Sequence, residues 1–203
     1  MTLVQDLVEG TLGEAPAPCQ GCMWWQTRPG RETPDRVRWM RETQERFGAW
    51  GKLYRDGDRT IGLLQYGPAD AFPRGRSLPA GPPSRDAVLV TCAYLVDASS
   101  PWALQSMFLA AIGECRDRRV PALEAFAYQY APGESFETRF MTHRTIFSKD
   151  FLSDFGFTTL RAAGRVELMR LDLRTLEEVA ERTPLARLRD RLPHLSPAPA
   201  PVR

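Results

Sequence analysis

Histidine is nearly missing from this chain of 203 residues: His143 and His194 are the only two, and they stand far apart. With so few imidazoles a histidine-rich metal centre has no material to form from. The four cysteines are too sparse for a disulfide framework, so reduced thiols are the default. No second CxxC follows the Cys19-x-x-Cys22 pair, and a structural zinc site wants four ligands. Charge of one sign is also lacking. The 27 basic and 25 acidic side chains give a net charge of +2, too little to mark nucleic acid or an anionic membrane as a partner. No apolar run approaches the roughly 18 residues of a membrane span, and MTLVQDLVEG lacks the basic and apolar regions of a signal peptide. The expectation is a soluble, cytoplasmic protein.

What the sequence does contain is concentrated in residues 87–128. An apolar run AVLVTCAYLV without polar alternation reads as a strand covered on both faces. After a Ser99-Ser100-Pro101 break, Leu104, Met107, Phe108, Ala111, Ile112 and Cys115 recur at helical spacing. A second apolar run, VPALEAFAY, returns as a strand. Strand, helix and strand of these lengths predict a crossover unit, whose ligand crevice lies at the carboxyl end of the first strand.

Around this unit the sequence predicts a weakly patterned arm with one short strand at Leu3 to Val8, and then CQGCMWWQT. Cys19 and Cys22 have the spacing of a zinc or redox pair, and a bland structural role is equally compatible. A helix is expected from Thr33-Pro34-Asp35 to Gly48, followed by a hairpin turning at Asp56-Gly57-Asp58. The five prolines between Pro68 and Asp86 predict a long loop, either a lid with Phe72 and Arg74 facing a ligand or a surface excursion. Later come an aromatic-rich segment from Phe136 to Phe147, a short helix capped by Ser148 and closed by Gly156, and a hairpin turning at Gly164. A helical segment from Thr175 and a Pro/Ala-rich tail finish the chain.

The order helix, antiparallel hairpin, central strand, helix, strand, short helix, hairpin, with FLSDFGF (Phe151 to Phe157) before the last hairpin, resembles the GNAT superfamily of acyl-CoA-dependent N-acetyltransferases. The resemblance covers roughly Pro34 to Leu173. It implies an α/β (α+β) fold: a mixed, mostly antiparallel central sheet flanked by helices, with a splayed strand pair forming the acyl-CoA cleft. The implied layout is an N-terminal arm (1–32), a GNAT-like domain (33–173), a C-terminal helical segment (174–192) and a disordered tail (193–203). The implied activity is transfer of an acetyl group from acetyl-CoA to a small-molecule or peptide amine. A catalytically inactive GNAT-fold binding or regulatory protein is the alternative. No metal, nucleic acid or membrane is expected, and a homodimer is left open.

Carried over by position, Tyr94, Leu95 and Val96 would contact the pantetheine arm, and Ser99, Ser100, Trp102, Ala103 and Leu104 the pyrophosphate. The family loop is typically R/Q-x-x-G-x-G/A, whereas this chain has Pro101 and Ala103 near the glycine positions and no basic residue in the loop. Leu152 stands where many members have a tyrosine acid. The catalytic candidates are therefore Glu124, a carboxylate in an apolar strand that must be paired, solvated or raised in pKa, and Cys92, equally readable as core filler. Phe72, Tyr128 and His143 are the substrate-binding candidates.

Overall fold

A computed structural model of the chain describes residues 2–97, 100–130, 133 and 146–176. The chain divides into the units Met1–Leu173 and Arg174–Arg203, and the sheet with its helices belongs to the first. The expected C-terminal helix lies outside the described residues except for its first residues, and the Pro/Ala tail lies outside them entirely.

Eight strands form one mixed sheet: β1 (Thr2–Asp6), β2 (Gly51–Asp56), β3 (Arg59–Pro68), β4 (Ala87–Leu95), β5 (Ala122–Tyr128), β6 (Phe147–Ser148), β7 (Thr158–Ala163) and β8 (Val166–Asp172). The spatial order is β1-β2-β3-β4-β5-β8-β7, with β6 beside the end of β5. The β4–β5 and β5–β6 pairs are parallel, and every other pair is antiparallel. The mixed, mostly antiparallel sheet expected from the element order is present.

The helices are α1 (Ala17–Gln20), α2 (Arg36–Phe47), α3 (Pro101–Asp117) and α4 (Lys149–Asp154). Asp35 caps α2 by accepting from the Arg38 amide at 2.7 Å, so the start expected from Thr33 falls two residues further on. α3 buries Ala103, Leu104, Met107, Phe108, Ala111 and Cys115. It lies close enough to β3 that a side chain at Gly62 would come within 2.8 Å of Met107 Cε. Phe108 then meets Phe147, Phe151 and Phe155 edge-on or tilted, with centroids 5.0–5.2 Å apart, which docks α4. Gly156, at φ +84°, turns the chain out of α4 into β7.

Strand alternation sends neighbouring residues of β2 and β3 to opposite faces. Tyr66 faces α3, where its hydroxyl donates to Glu114 at 2.5 Å; Glu114 also takes ion pairs from Lys52 and Arg118. Leu53 and Leu63 face the other way and pack with Met40 of α2, Leu7 and Trp50. Of residues 2–27, β1 joins the edge of the sheet beside β2, where a short strand was expected, and Leu7, Ala15 and Trp25 are buried. Leu7 and Trp25 carry enough apolar surface to bury fully, and Trp25 stacks on Phe126 with centroids 6.1 Å apart.

The proline-rich stretch after β3, expected as a lid or a surface excursion, is held against the rest of the fold. It forms two 3-10 turns, Ala69–Ala71 and Pro73–Ser77, and is pinned from below. Phe72 lies in the core, Arg74 donates to the Trp24 carbonyl at 2.5 Å, and Arg161 donates to the carbonyls of Ala80 and Pro82 at 2.8 and 2.6 Å.

Candidate active site

Two local irregularities in β4 build the site. The first is a bulge: Gln65 pairs with Cys92 and the next residue, Tyr66, pairs with Val90, so Thr91 is an extra residue in the strand. Thr91 is held by its hydroxyl, which lies 3.1 Å from both the Gln65 carbonyl and Gln65 Oε1. The bulge resets the alternation. Beyond it, Cys92 and Tyr94 share the α2-side face with their cross-strand neighbours Gln65 and Leu63, while Ala93 and Leu95 are buried on the α3 side.

The second irregularity is a parting of strands. β4 pairs with β5 only over Ala87–Val90 against Ala122–Ala125, and there the parallel ladder ends. β5 runs on to Tyr128 with β6 alongside, while β4 runs on to Leu95 with β3. The two strands part there into a wedge, whose β5 side is taken by β6 at Ala127 and Tyr128.

On the α2 side of β4 lies a cavity of about 240 Å³. Cys92, Ala93 and Tyr94 form one wall, with Gln65 and Leu63 beside them. Trp25, Trp39 and Trp50 supply aromatic walls, and Cys19, Cys22 and Met23 close one side. Gln26 Nε2 donates to Gln65 Oε1 at 3.3 Å, and Cys92 Sγ lies 3.9 Å from the same oxygen. Burial, followed by the nearby Cys19 and Cys22, pushes the Cys92 thiol well above its ordinary value, so it stays protonated at neutral pH.

The predicted site residues fall into separate places. Cys92 and Tyr94 line the cavity, and Cys19 and Cys22 meet them there. Glu124 is 0 % exposed and accepts from Arg170 and from the Ser84 amide, both at 2.8 Å. Phe72 is 0 % exposed, packed against Trp39 at 5.7 Å. Tyr128, at the end of β5, meets Tyr130 edge-on at 5.1 Å. The amide of Val96 donates to the Ile61 carbonyl at 2.9 Å. Leu95, Ala103 and Leu104 are buried, while Trp102 is exposed and packs edge-on to Tyr54 at 5.1 Å. Ser100 precedes the first turn of α3, and its carbonyl accepts from the Ala103 amide at 3.1 Å. Ser99 and His143 lie outside the described residues. Among the described residues, no three histidine, cysteine or acidic side chains are arranged to hold a metal ion, and no helix is long and apolar enough to cross a membrane.

Sequence reasoning missed the cavity's other half: Gln26, Arg36, Trp39, Trp50 and Gln65. Gln65 was the recoverable one, being an amide in an otherwise apolar strand, a position where a polar group must find partners. The bulge at Thr91 leaves no comparable mark in an unbroken apolar run.

No protein-family profile matches the sequence, and no curated protein matches it. Solved structures do show a likeness. The ribosomal-protein-S18-alanine N-acetyltransferase of Escherichia coli is 10 % identical with a TM-score of 0.48, covering 85 % of this chain and 94 % of that one. The ribosomal-protein-alanine N-acetyltransferase of Brucella melitensis is 14 % identical with a TM-score of 0.48, covering 84 % and 99 %. The PaiA N-acetyltransferase of Thermoplasma acidophilum, solved in complex with coenzyme A, is 11 % identical with a TM-score of 0.47, covering 85 % and 99 %. At such identities no residue role passes from them to this chain. By its own strand order, its parallel β4–β5 pair parting after Val90 and Ala125, and the helix between those strands, the chain has a GNAT-like fold.

Proposed function

We propose that the chain is a divergent GNAT acyltransferase that moves an acetyl group from acetyl-CoA to an amine. The observation that carries this reading is the wedge between β4 and β5, with the cavity on the adjoining face of β4. An extended acyl-pantetheine arm can add to the β4 backbone as a strand would, which supports Leu95 as a main-chain partner: with the Val96 amide bonded to Ile61, alternation turns the Leu95 amide to that edge and the Tyr94 amide toward β3. Bound there, the thioester would supply an activated acyl carbon beside Tyr94. An acceptor in the cavity would then form a C–N bond as the C–S bond breaks, its displaced proton ending on the released thiol.

The chain's own contribution is chiefly positioning. The cavity walls orient the acceptor and exclude water, and Gln65, Gln26 and Thr91 fix the β4 bulge that carries Cys92 and Tyr94. Cys92, kept as a neutral thiol, is a hydrogen-bond donor and not a base. Glu124 has both oxygens engaged, which favours a structural part for it over proton transfer.

The fit for the cofactor is uneven. The wedge suits the pantetheine arm, but the start of α3 is poor in donors for a pyrophosphate: Pro101 has no amide hydrogen and the Ala103 amide is spent on Ser100. This favours a second reading, a GNAT fold that binds ligand without catalysis, and the buried apolar Leu152 agrees with it. A thiol-release assay with acetyl-CoA and a panel of amines separates the two, run beside the Pro101→Gly/Ala103→Gly double variant. A working enzyme turns over and loses CoA affinity when its own loop geometry is changed. A silent fold releases no thiol and gains affinity.

A further inference from the structure

The cavity beside Cys92 and Tyr94 has an unbalanced set of polar groups. Among the described residues Arg36 is its one charged lining residue and no carboxylate lines it. On α2 the other arginines are all paired: Arg38 with Glu42, Arg41 with Glu9 and Arg46 with Asp70. Arg36 is half-buried and has no ion pair among the described residues. The neighbouring Asp35 carboxylate does not answer it, being engaged with the Arg38 amide.

The tryptophans add aromatic wall and no acid. Trp25 and Trp50, 2 % and 3 % exposed, line the cavity with their rings, and the ring N–H of each is buried away from it. The oxygen of Gln65 already accepts from Gln26 and Thr91. The cavity therefore offers a cation inside aromatic walls.

We propose that this cavity binds a small apolar carboxylate, of the chemical class of a hydrophobic amino acid, with its anionic oxygens toward Arg36 and its apolar body between the tryptophans. A guanidinium meets a carboxylate with charge-assisted hydrogen bonds. A polyamine or a lysine side chain would face Arg36 with no acid to offset it, and aromatic rings alone attract a cation weakly. The volume of about 240 Å³ falls below the roughly 300–1,000 Å³ of drug-sized sites and suits one small molecule. That the amino group of this molecule is the acetyl acceptor rests on the acyl-transfer reading; the recognition of its carboxylate does not.

The test is a titration of the full-length protein without acetyl-CoA, following tryptophan emission. The probes are L-phenylalanine, hydrocinnamate (the carboxylate without the amine), phenethylamine (the amine without the carboxylate) and spermidine. Saturable quenching by L-phenylalanine and hydrocinnamate is expected, with phenethylamine and spermidine at least about tenfold weaker, the scale of one charge-assisted bond. Arg36→Gln should weaken hydrocinnamate about tenfold and should not weaken phenethylamine, which loses a like charge, with Arg36→Lys recovering part of the hydrocinnamate loss. Unchanged circular dichroism keeps those comparisons valid. Equal or tighter binding of phenethylamine or spermidine would overturn the proposal, as would no saturable binding of any carboxylate. Because no acetyl-CoA is present, failure of acyl transfer leaves this result standing.

Discussion

Glu124 and Arg170 face each other across β5 and β8, and the guanidinium donates to the fully buried carboxylate at 2.8 Å. The Ser84 amide takes the other carboxylate oxygen, and Asp86 takes the second arm of Arg170 at 2.9 Å. One buried pair thus ties the proline-rich stretch to the centre of the sheet. Removing Arg170 leaves the Glu124 carboxylate in the interior with the Ser84 amide and no countercharge, whereas without Glu124 the guanidinium keeps Asp86. Arg170→Met should cost about 3–5 kcal/mol in denaturant unfolding and Glu124→Gln less, with any loss of activity tracking the loss of folded protein. A stable Glu124→Gln protein with abolished turnover would instead make Glu124 a proton-transfer residue.

Thr91 is expected to hold the bulge through its hydroxyl. Thr91→Val removes the hydroxyl's hydrogen bond to Gln65 and should cost about 1 kcal/mol in denaturant unfolding, while Thr91→Ser should cost less. Equal effects of Val and Ser would assign the bulge to packing.

Glu167 gives a pH signature. Burial alone would raise its pKa, but hydrogen bonds from Lys149 at 2.7 Å and Thr159 at 2.5 Å outweigh burial and hold it below the ordinary 4.5. The folded state therefore binds this proton less readily than the unfolded chain does. The resulting stability is fully present above the ordinary carboxylate value and is lost as pH falls through the lowered native one. Lys149→Met should flatten that acid limb of the stability curve, and an unchanged limb would place the dependence on other groups.

Three of the four thiols should separate by reactivity. Cys22 is exposed, Cys92 is held protonated, and burial pushes Cys115 up to about 12. Timed alkylation read by mass spectrometry should label Cys22 first and leave Cys92 and Cys115 protected until the protein unfolds. Early labelling of Cys92 would show that its side of the cavity is open and its thiol ionised.

The strands and helices were legible because their apolar periods are strong and their caps ordinary: Ser148 on α4, Gly156 after it, and the unbroken run of β4. The site was legible only in part. Cys92 and Tyr94 could be placed on β4, but which face they occupy depends on the single extra residue at Thr91, and nothing in an apolar run announces a bulge. The two-residue β6 is too short to show a period. Arg36, Trp39 and Trp50 come to the cavity from segments distant in sequence, through packing that no local pattern encodes. Glu124, a catalytic candidate in the sequence, has its partner directly across the sheet on β8, a pairing no local pattern encodes.

The central claim is that the wedge between β4 and β5 receives an acyl-CoA. Isothermal titration of the full-length chain with acetyl-CoA tests it most directly. Saturable one-to-one binding, weakened when Leu95 is replaced by proline to remove a β4 amide, is the result this account predicts. No detectable binding at millimolar acetyl-CoA would contradict it.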